Sequence, residues 1–261
     1  MDSISILGCG WLGLSLGARL VRNGFSVKGS TTKPEKLSMI SSSGIQPYHL
    51  SFEPELIQNP YDFYDSEVLI INLPPRNRNG IADFHKRQLS EIIKLAQGNV
   101  RYILFISSTA VYPAQNKEVT EEDADVGCHS RGGVPLLEME HLFVSHPDFI
   151  TTVVRFGGLY GPDRHPGKFL EGKKNLRGPS NPVNMIHLED CMGIIETIIT
   201  ENLWGETMNA CAPSSETRQS FYNQAAKDLG IEPPTFIDQP TPYKKVSVNK
   251  LIELTGYQFK Y

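Results

Sequence analysis

The sequence predicts an α/β fold, a Rossmann-type doubly wound parallel sheet with a small carboxyl-terminal α/β substrate lobe. Short apolar runs alternate with amphipathic stretches, as in a parallel sheet covered by helices on both faces. A glycine-spaced segment, Gly8-Cys9-Gly10-Trp11-Leu12-Gly13, separates the first apolar run from the first amphipathic one. The second half of the chain returns to strand-like runs between Gly/Pro-rich turns.

In chain order, Ile4 to Leu7 reads as the first strand and Leu12 to Arg22 as a helix stopped at Gly24. Phe25 to Lys28 follows as a second strand and Val68 to Asn72 as a third, ended by Pro74 and Pro75, which cannot donate to a ladder. Ile81 to Gln97 is amphipathic, Tyr102 to Ile106 apolar, Leu136 to Ser145 helical, and Ile150 to Val154 apolar again. Helix-like stretches at Leu188 to Thr200 and Glu216 to Leu229 flank a strand at Glu206 to Asn209. The Pro-rich segment Glu232 to Pro242 is a surface connection, and Ser247 is the expected N-cap of a last helix around Ser247 to Leu254. Gly230 and Gly256 read as helix stops. Residues 1–166 are assigned to the Rossmann domain, to which later strands return, and residues 167–261 mainly to the substrate lobe.

Composition narrows the function classes. A net charge of −4 provides no basic field for nucleic acid, and no apolar stretch is long enough for a bilayer span. Cys9, Cys128, Cys191 and Cys211 lie far apart without a C-x-x-C pair, so neither a metal site nor a disulfide framework is expected. Reduced thiols and the lack of a signal-like opening point to the cytoplasm.

The glycine spacing carries the chemistry. After a strand and before a helix, Gly8 permits a tight turn, Gly10 admits a pyrophosphate close to the backbone, and Gly13 lets helix and strand approach. Cys9, Trp11 and Leu12 complete this candidate dinucleotide-binding turn, whose alternative is a glycine turn built for packing alone. After the second strand the chain reads Gly29-Ser30-Thr31-Thr32-Lys33, without the carboxylate that would accept the ribose hydroxyls of NAD. Ser30, Thr31, Thr32 and Lys33 offer donors and charge to a 2′-phosphate, so NADP is the expected cofactor and NAD the alternative. The competing reading is a solvated turn capping a helix near Pro34. Leu73 and Pro74, after the third strand, are further candidate cofactor contacts.

Next, Phe105-Ile106-Ser107-Ser108-Thr109-Ala110-Val111-Tyr112 resembles the S-S-T-x-V-Y-G segment of the extended short-chain dehydrogenase/reductase superfamily, with Pro113 in place of the usual Gly. Arg155 to Pro162 resembles its R-x-x-x-Y-G-P segment, Ile186 to Asp190 its H-V-x-D segment, and Glu206 to Asn209 the strand before its last helices. The resemblance spans essentially the whole chain. It implies a catalytic role for Ser108, whose hydroxyl would bond a substrate carbonyl or alcohol, and a possible homodimer. Asp163, Arg164 and His165 could present charge to a polar substrate, whereas His187 and Asp190 read better as structural groups; Arg155 would, in the structural reading, anchor a loop.

The departure is instructive. The family's Tyr-x-x-x-Lys pair, in which Lys lowers the Tyr pKa for proton transfer, aligns with Gly132 and Leu136 when the following Glu is matched to Glu140. Neither does acid–base chemistry; the local sequence holds no replacement Tyr, His129 and Arg131 are the polar residues that could approach the site, and His129 is the candidate catalytic one. Retained Ser, lost Tyr/Lys pair and GxGxxG spacing together resemble the atypical YeeZ-like group of NAD-dependent epimerase/dehydratase-like proteins. Two readings stay open: an NADP-linked oxidoreductase or epimerase acting on a small polar or sugar-like molecule, or a non-catalytic NAD(P)-binding sensor. Hydroxyacid dehydrogenases related to 6-phosphogluconate dehydrogenase share such a first hundred residues, but continue into an all-helical domain.

Overall fold

A computed structural model of the chain describes residues 2–51, 61–73, 82–124 and 133–261. Strand β1 (Ser3–Leu7) leads through the glycine turn into α1 (Trp11–Arg22). Leu12, Leu16 and Leu20 recur every fourth position of α1 and are all buried, one face of a 3.6-residue period. Next come β2 (Ser26–Thr31), α2 (Leu37–Ser42), β3 (Gln46–His49) and β4 (Val68–Ile71). All four residues of β4 are essentially inaccessible, as expected for a strand covered on both faces, and each such aliphatic side chain contributes roughly 1.5–3 kcal/mol by leaving water. Helix α3 (Ala82–Ala96), β5 (Tyr102–Ser108), the short β6 (Lys117–Val119), α4 (Gly133–Val144) and β7 (Ile150–Phe156) follow. The remainder comprises β8 (Gly158–Tyr160), β9 (Met185–His187), α5 (Leu188–Thr200), β10 (Thr207–Ala210), α6 (Arg218–Asp228), β11 (Lys244–Val246) and α7 (Asn249–Thr255).

Seven strands form a parallel sheet in the order β10-β7-β5-β4-β1-β2-β3, the doubly wound arrangement the sequence predicts. β1 is hydrogen-bonded to β2 on one side and to β4 on the other, with Leu7 opposite Ile71. The connections therefore reverse direction beside β1, and the crevice at the carboxyl ends of β1 and β4 is where open α/β sheets bind ligands.

Two compact units alternate along the chain. One comprises residues 1–107, 135–154 and 194–207; the other comprises 108–134, 155–193 and 208–261. The first 166 residues thus contribute to both. The second unit carries two small parallel pairs, β6 with β11 and β8 with β9. Its centre is polar. Arg155 donates from Nη1 to the Tyr112 hydroxyl at 2.7 Å and to the Glu121 carbonyl at 3.0 Å. Tyr112 donates in turn to Asn209 Oδ1 at 2.7 Å, and the Asn209 backbone N–H donates to Glu121 Oε1 at 2.7 Å. Every link is a satisfied pair, the condition under which a buried polar cluster fixes one packing arrangement.

Several boundaries differ from the sequence reading. β2 extends to Thr31, beyond the expected end at Lys28, because β3 gives it a second partner through Thr31 opposite His49. β3 itself was not expected, being short and interrupted by Pro47, which an edge strand tolerates. Val248, not Ser247, is the N-cap of α7. Ser247 is buried, its N–H donating to Val119 O at 2.8 Å and its carbonyl accepting from Asn209 Nδ2 at 3.2 Å.

Candidate functional site

The turn after β1 is held from three sides. Gly8 has φ +105°, and a Cβ there would lie 2.4 Å from the Asn72 carbonyl oxygen. A Cβ on Gly13 would lie 2.3 Å from the Gly8 carbonyl oxygen. Both positions exclude any side chain on internal grounds. The Gly8 N–H donates to Ser30 Oγ at 3.0 Å, and the Cys9 N–H donates to the Ser30 carbonyl at 2.7 Å. Asn72 closes the third side, its Nδ2 donating to the Gly8 carbonyl at 2.9 Å while its backbone N–H donates to Leu7 O at 3.0 Å. From the sequence Asn72 reads equally as lining a cofactor or as ending the strand; what sequence reasoning missed is that its amide clamps the Gly8 carbonyl.

Gly10 is different. Among the described residues a Cβ there would meet nothing within 4 Å, although Gly10 is the N-cap of α1. Among the described residues no side-chain hydrogen bond caps that helix start, and no acidic residue stands in its first turn to offset the positive end of the helix. Such a cradle fits a phosphate group. Trp11 and Leu12 begin the helix, Leu12 buried and Trp11 half-buried. Cys9 is 4% exposed, and burial pushes its thiol up to about 12, so it stays protonated and serves as packing against Gly29. Leu73 lies beside the turn, its Cδ2 3.6 Å from the Cβ position of Gly8.

At the end of β2, Ser30 is 3% exposed and its oxygen is engaged by the turn, while Thr31 is buried and accepts from the Lys33 N–H at 3.2 Å. Thr32 and Lys33 are exposed. The four polar residues therefore split: Ser30 and Thr31 build the crevice wall, and Thr32 and Lys33 are free to face a ligand. Pro74 and His129 lie outside the described residues.

Ser108 ends β5 and caps the short turn Thr109–Val111, its Oγ accepting from the Ala110 N–H at 3.2 Å. With a lone pair used there, the hydroxyl proton remains to be donated. Lys244 holds the same turn by donating to the Thr109 and Tyr112 carbonyls at 2.7 and 2.6 Å, and burial pulls its ammonium below the ordinary lysine range. The neighbouring Ser107 donates instead to buried Glu140. Tyr112, 1% exposed, is held at about 12, chiefly by burial and partly offset by Arg155, so it is a structural phenol. Leu136, at the family's Lys position, is buried and apolar.

The second unit also contains a cavity of about 670 Å³ bordered by Tyr160, His187, Phe221 and Tyr261. Gly161 and Arg164 exchange backbone hydrogen bonds around Pro162 and Asp163, a two-residue turn with Asp163 at φ +62°. The turn brings Asp163 to the cavity, joined by His165 but not Arg164. His187 Nδ1 accepts from the Glu189 N–H at 3.2 Å, and burial lowers the pKa of its imidazole. Asp190 is an anchor: fully buried, it accepts from the Tyr257 hydroxyl and from the Lys260 and Tyr261 N–H groups at 3.0, 2.9 and 3.2 Å. Among the described residues there is no metal-ligating group of three or more side chains, and no helix long and apolar enough to cross a membrane.

No family model matches the chain. It is 33% identical over 267 residues to Protein YeeZ of Escherichia coli strain K12, the alignment covering 100% of this chain and 97% of that protein. Among solved structures, a functionally unknown conserved protein from Silicibacter pomeroyi superposes with TM-score 0.78 at 22% identity, covering 100% of this chain and 94% of the other. A UDP-glucuronic acid 4-epimerase from Bacillus cereus, in complex with NAD, superposes with TM-score 0.78 at 16% identity over 99% of this chain and 94% of its own. At these identities the structural likeness establishes the fold.

Proposed function

Since the chain belongs to the YeeZ family, we propose that it is a nicotinamide-dinucleotide-binding protein with a preference for NADP and an oxidoreductase or epimerase activity on a small polar or sugar-like molecule. The single observation that carries this reading is Gly10. Gly8 and Gly13 are required by their own surroundings, whereas among the described residues nothing occupies the position a Gly10 side chain would take, and no side-chain hydrogen bond caps that helix start. A glycine that its own described surroundings do not require, placed between strand and helix in this spacing, supports a backbone approached closely by a pyrophosphate.

Gly10, Trp11, Leu12 and Gly13 would hold the pyrophosphate, Thr32 and Lys33 the 2′-phosphate, and Leu73 the ribose on the nicotinamide side. The bound nicotinamide would supply hydride transfer. The chain's own contribution is orientation. Ser108, fixed by Ala110 and carried on the turn that Lys244 pins, donates its hydroxyl proton to a substrate oxygen. With Leu136 buried at the Lys position, the reaction proton moves through water or a group other than a Tyr/Lys pair. That same leucine is the observation favouring the second reading, a cofactor sensor without turnover.

Calorimetric titration of NADP(H) and NAD(H) into the wild type and Lys33→Glu tests the first half. NADP(H) is expected to bind more tightly, with that advantage lost by at least about tenfold in the variant, the cost of replacing a charge-assisted contact by repulsion. Absorbance of the reduced cofactor over a panel of nucleotide-sugars and carbonyl compounds tests the second. Turnover abolished by Ser108→Ala supports the enzyme; binding with no turnover across the panel supports the sensor; no dinucleotide binding overturns both.

A further inference from the structure

We propose that the aromatic cavity of the second unit binds an amine-bearing, hydroxylated ring, the chemistry of an amino sugar. None of the residues bordering it is Ser108 or belongs to the glycine turn, and its volume of about 670 Å³ accommodates one or two rings. Tyr160 packs edge-on against His187, with centroids 5.1 Å apart, and against Phe221 at 6.1 Å; Tyr261 stacks on His187 at 3.9 Å. This continuous aromatic wall suits the apolar face of a sugar ring and attracts a cation through its ring quadrupoles.

Charge selects between ligands. Asp163, Glu216 and Asp228 border the cavity together with one ammonium, that of Lys168. Nδ1 of both His187 and His165 accepts a backbone N–H, which leaves Nε2 of each ring as a donor. A phosphorylated or diphosphate ligand would meet net negative charge here, whereas a protonated amine would be drawn in and its hydroxyls would find carboxylate acceptors. The proposal extends the reading above by naming a substrate class. It rests on that reading for the step from binding to turnover, but not for binding itself.

The test is calorimetry of glucosamine, N-acetylglucosamine and glucose 6-phosphate at pH 7, without dinucleotide, on the wild type, Glu216→Gln, Asp163→Asn and Lys33→Glu. Glu216 is exposed and Asn tolerates the left-handed backbone of residue 163, so neither cavity variant endangers folding. Glucosamine is expected to bind best, to weaken at least about tenfold in Glu216→Gln or Asp163→Asn, and to be unaffected by Lys33→Glu. Glucose 6-phosphate binding as well as glucosamine, indifference to both carboxamide variants, or no binding of glucosamine up to about 10 mM would overturn it. Glucosamine binding to a protein that ignores NADP(H) would uphold the cavity while removing the dinucleotide reading.

Discussion

Gly10 and Gly13 are the same residue type three positions apart, yet replacing them should have opposite consequences. In Gly13→Ala the new methyl group would sit 2.3 Å from a backbone oxygen that cannot step aside, and a loss of about 1–3 kcal/mol in stability is expected. In Gly10→Ala the methyl group meets none of the described residues, so a cost of at most about 1 kcal/mol is expected, the difference between glycine and alanine as an N-cap. Dinucleotide affinity, in contrast, should fall at least about tenfold. Thermal melts and titrations of the two variants separate the roles. His187 gives a second test at this scale. Its folded pKa is lowered, first by burial, so in the window between that value and the unfolded value near 6.5 the unfolded chain binds a proton that the folded chain does not. Stability from this group is fully present above pH 6.5 and declines as pH falls through the window. Urea unfolding of His187→Gln should show a shallower loss on acidification than the wild type.

At the scale of elements, the polar cluster of the second unit is the most exacting part of the fold. Asn209→Ala would strip the acceptor from the Tyr112 hydroxyl proton, although that oxygen still accepts from Arg155, and the donor from the Ser247 carbonyl; a loss of about 2–4 kcal/mol in chemical unfolding is expected. The order and type of the long elements were legible in the sequence because each carries several turns of amphipathic helix or an uninterrupted apolar strand. The glycine turn was legible for the same reason, since a strand and a helix bracket it. β6, β8, β9 and β11 have only three residues each, too few to display a period of two. Likewise, Asn72 and Lys244 gain their meaning from partners 64 and about 130 positions away, a pairing that spacing along one chain does not express. Ser30 shows the intermediate case: its position was legible, but its attachment to the Gly8 N–H needed the fold.

At the scale of the molecule, both units are discontinuous. The first draws on three stretches, the last being residues 194–207, where Ile194, Ile195, Ile198 and Ile199 are no more than 2% exposed. A fragment ending at residue 166 lacks them, and we expect it to melt without a cooperative transition, as followed by calorimetry or near-ultraviolet circular dichroism, unlike the full chain. The same interleaving has a temporal side. A chain emerging from the ribosome presents β1, β2, β4 and β5 long before residues 194–207 leave the exit tunnel. For most of its synthesis it therefore displays apolar surface awaiting a partner not yet made. Chaperone supply over that interval would then join the stability of the finished protein in setting how much of it reaches the native state.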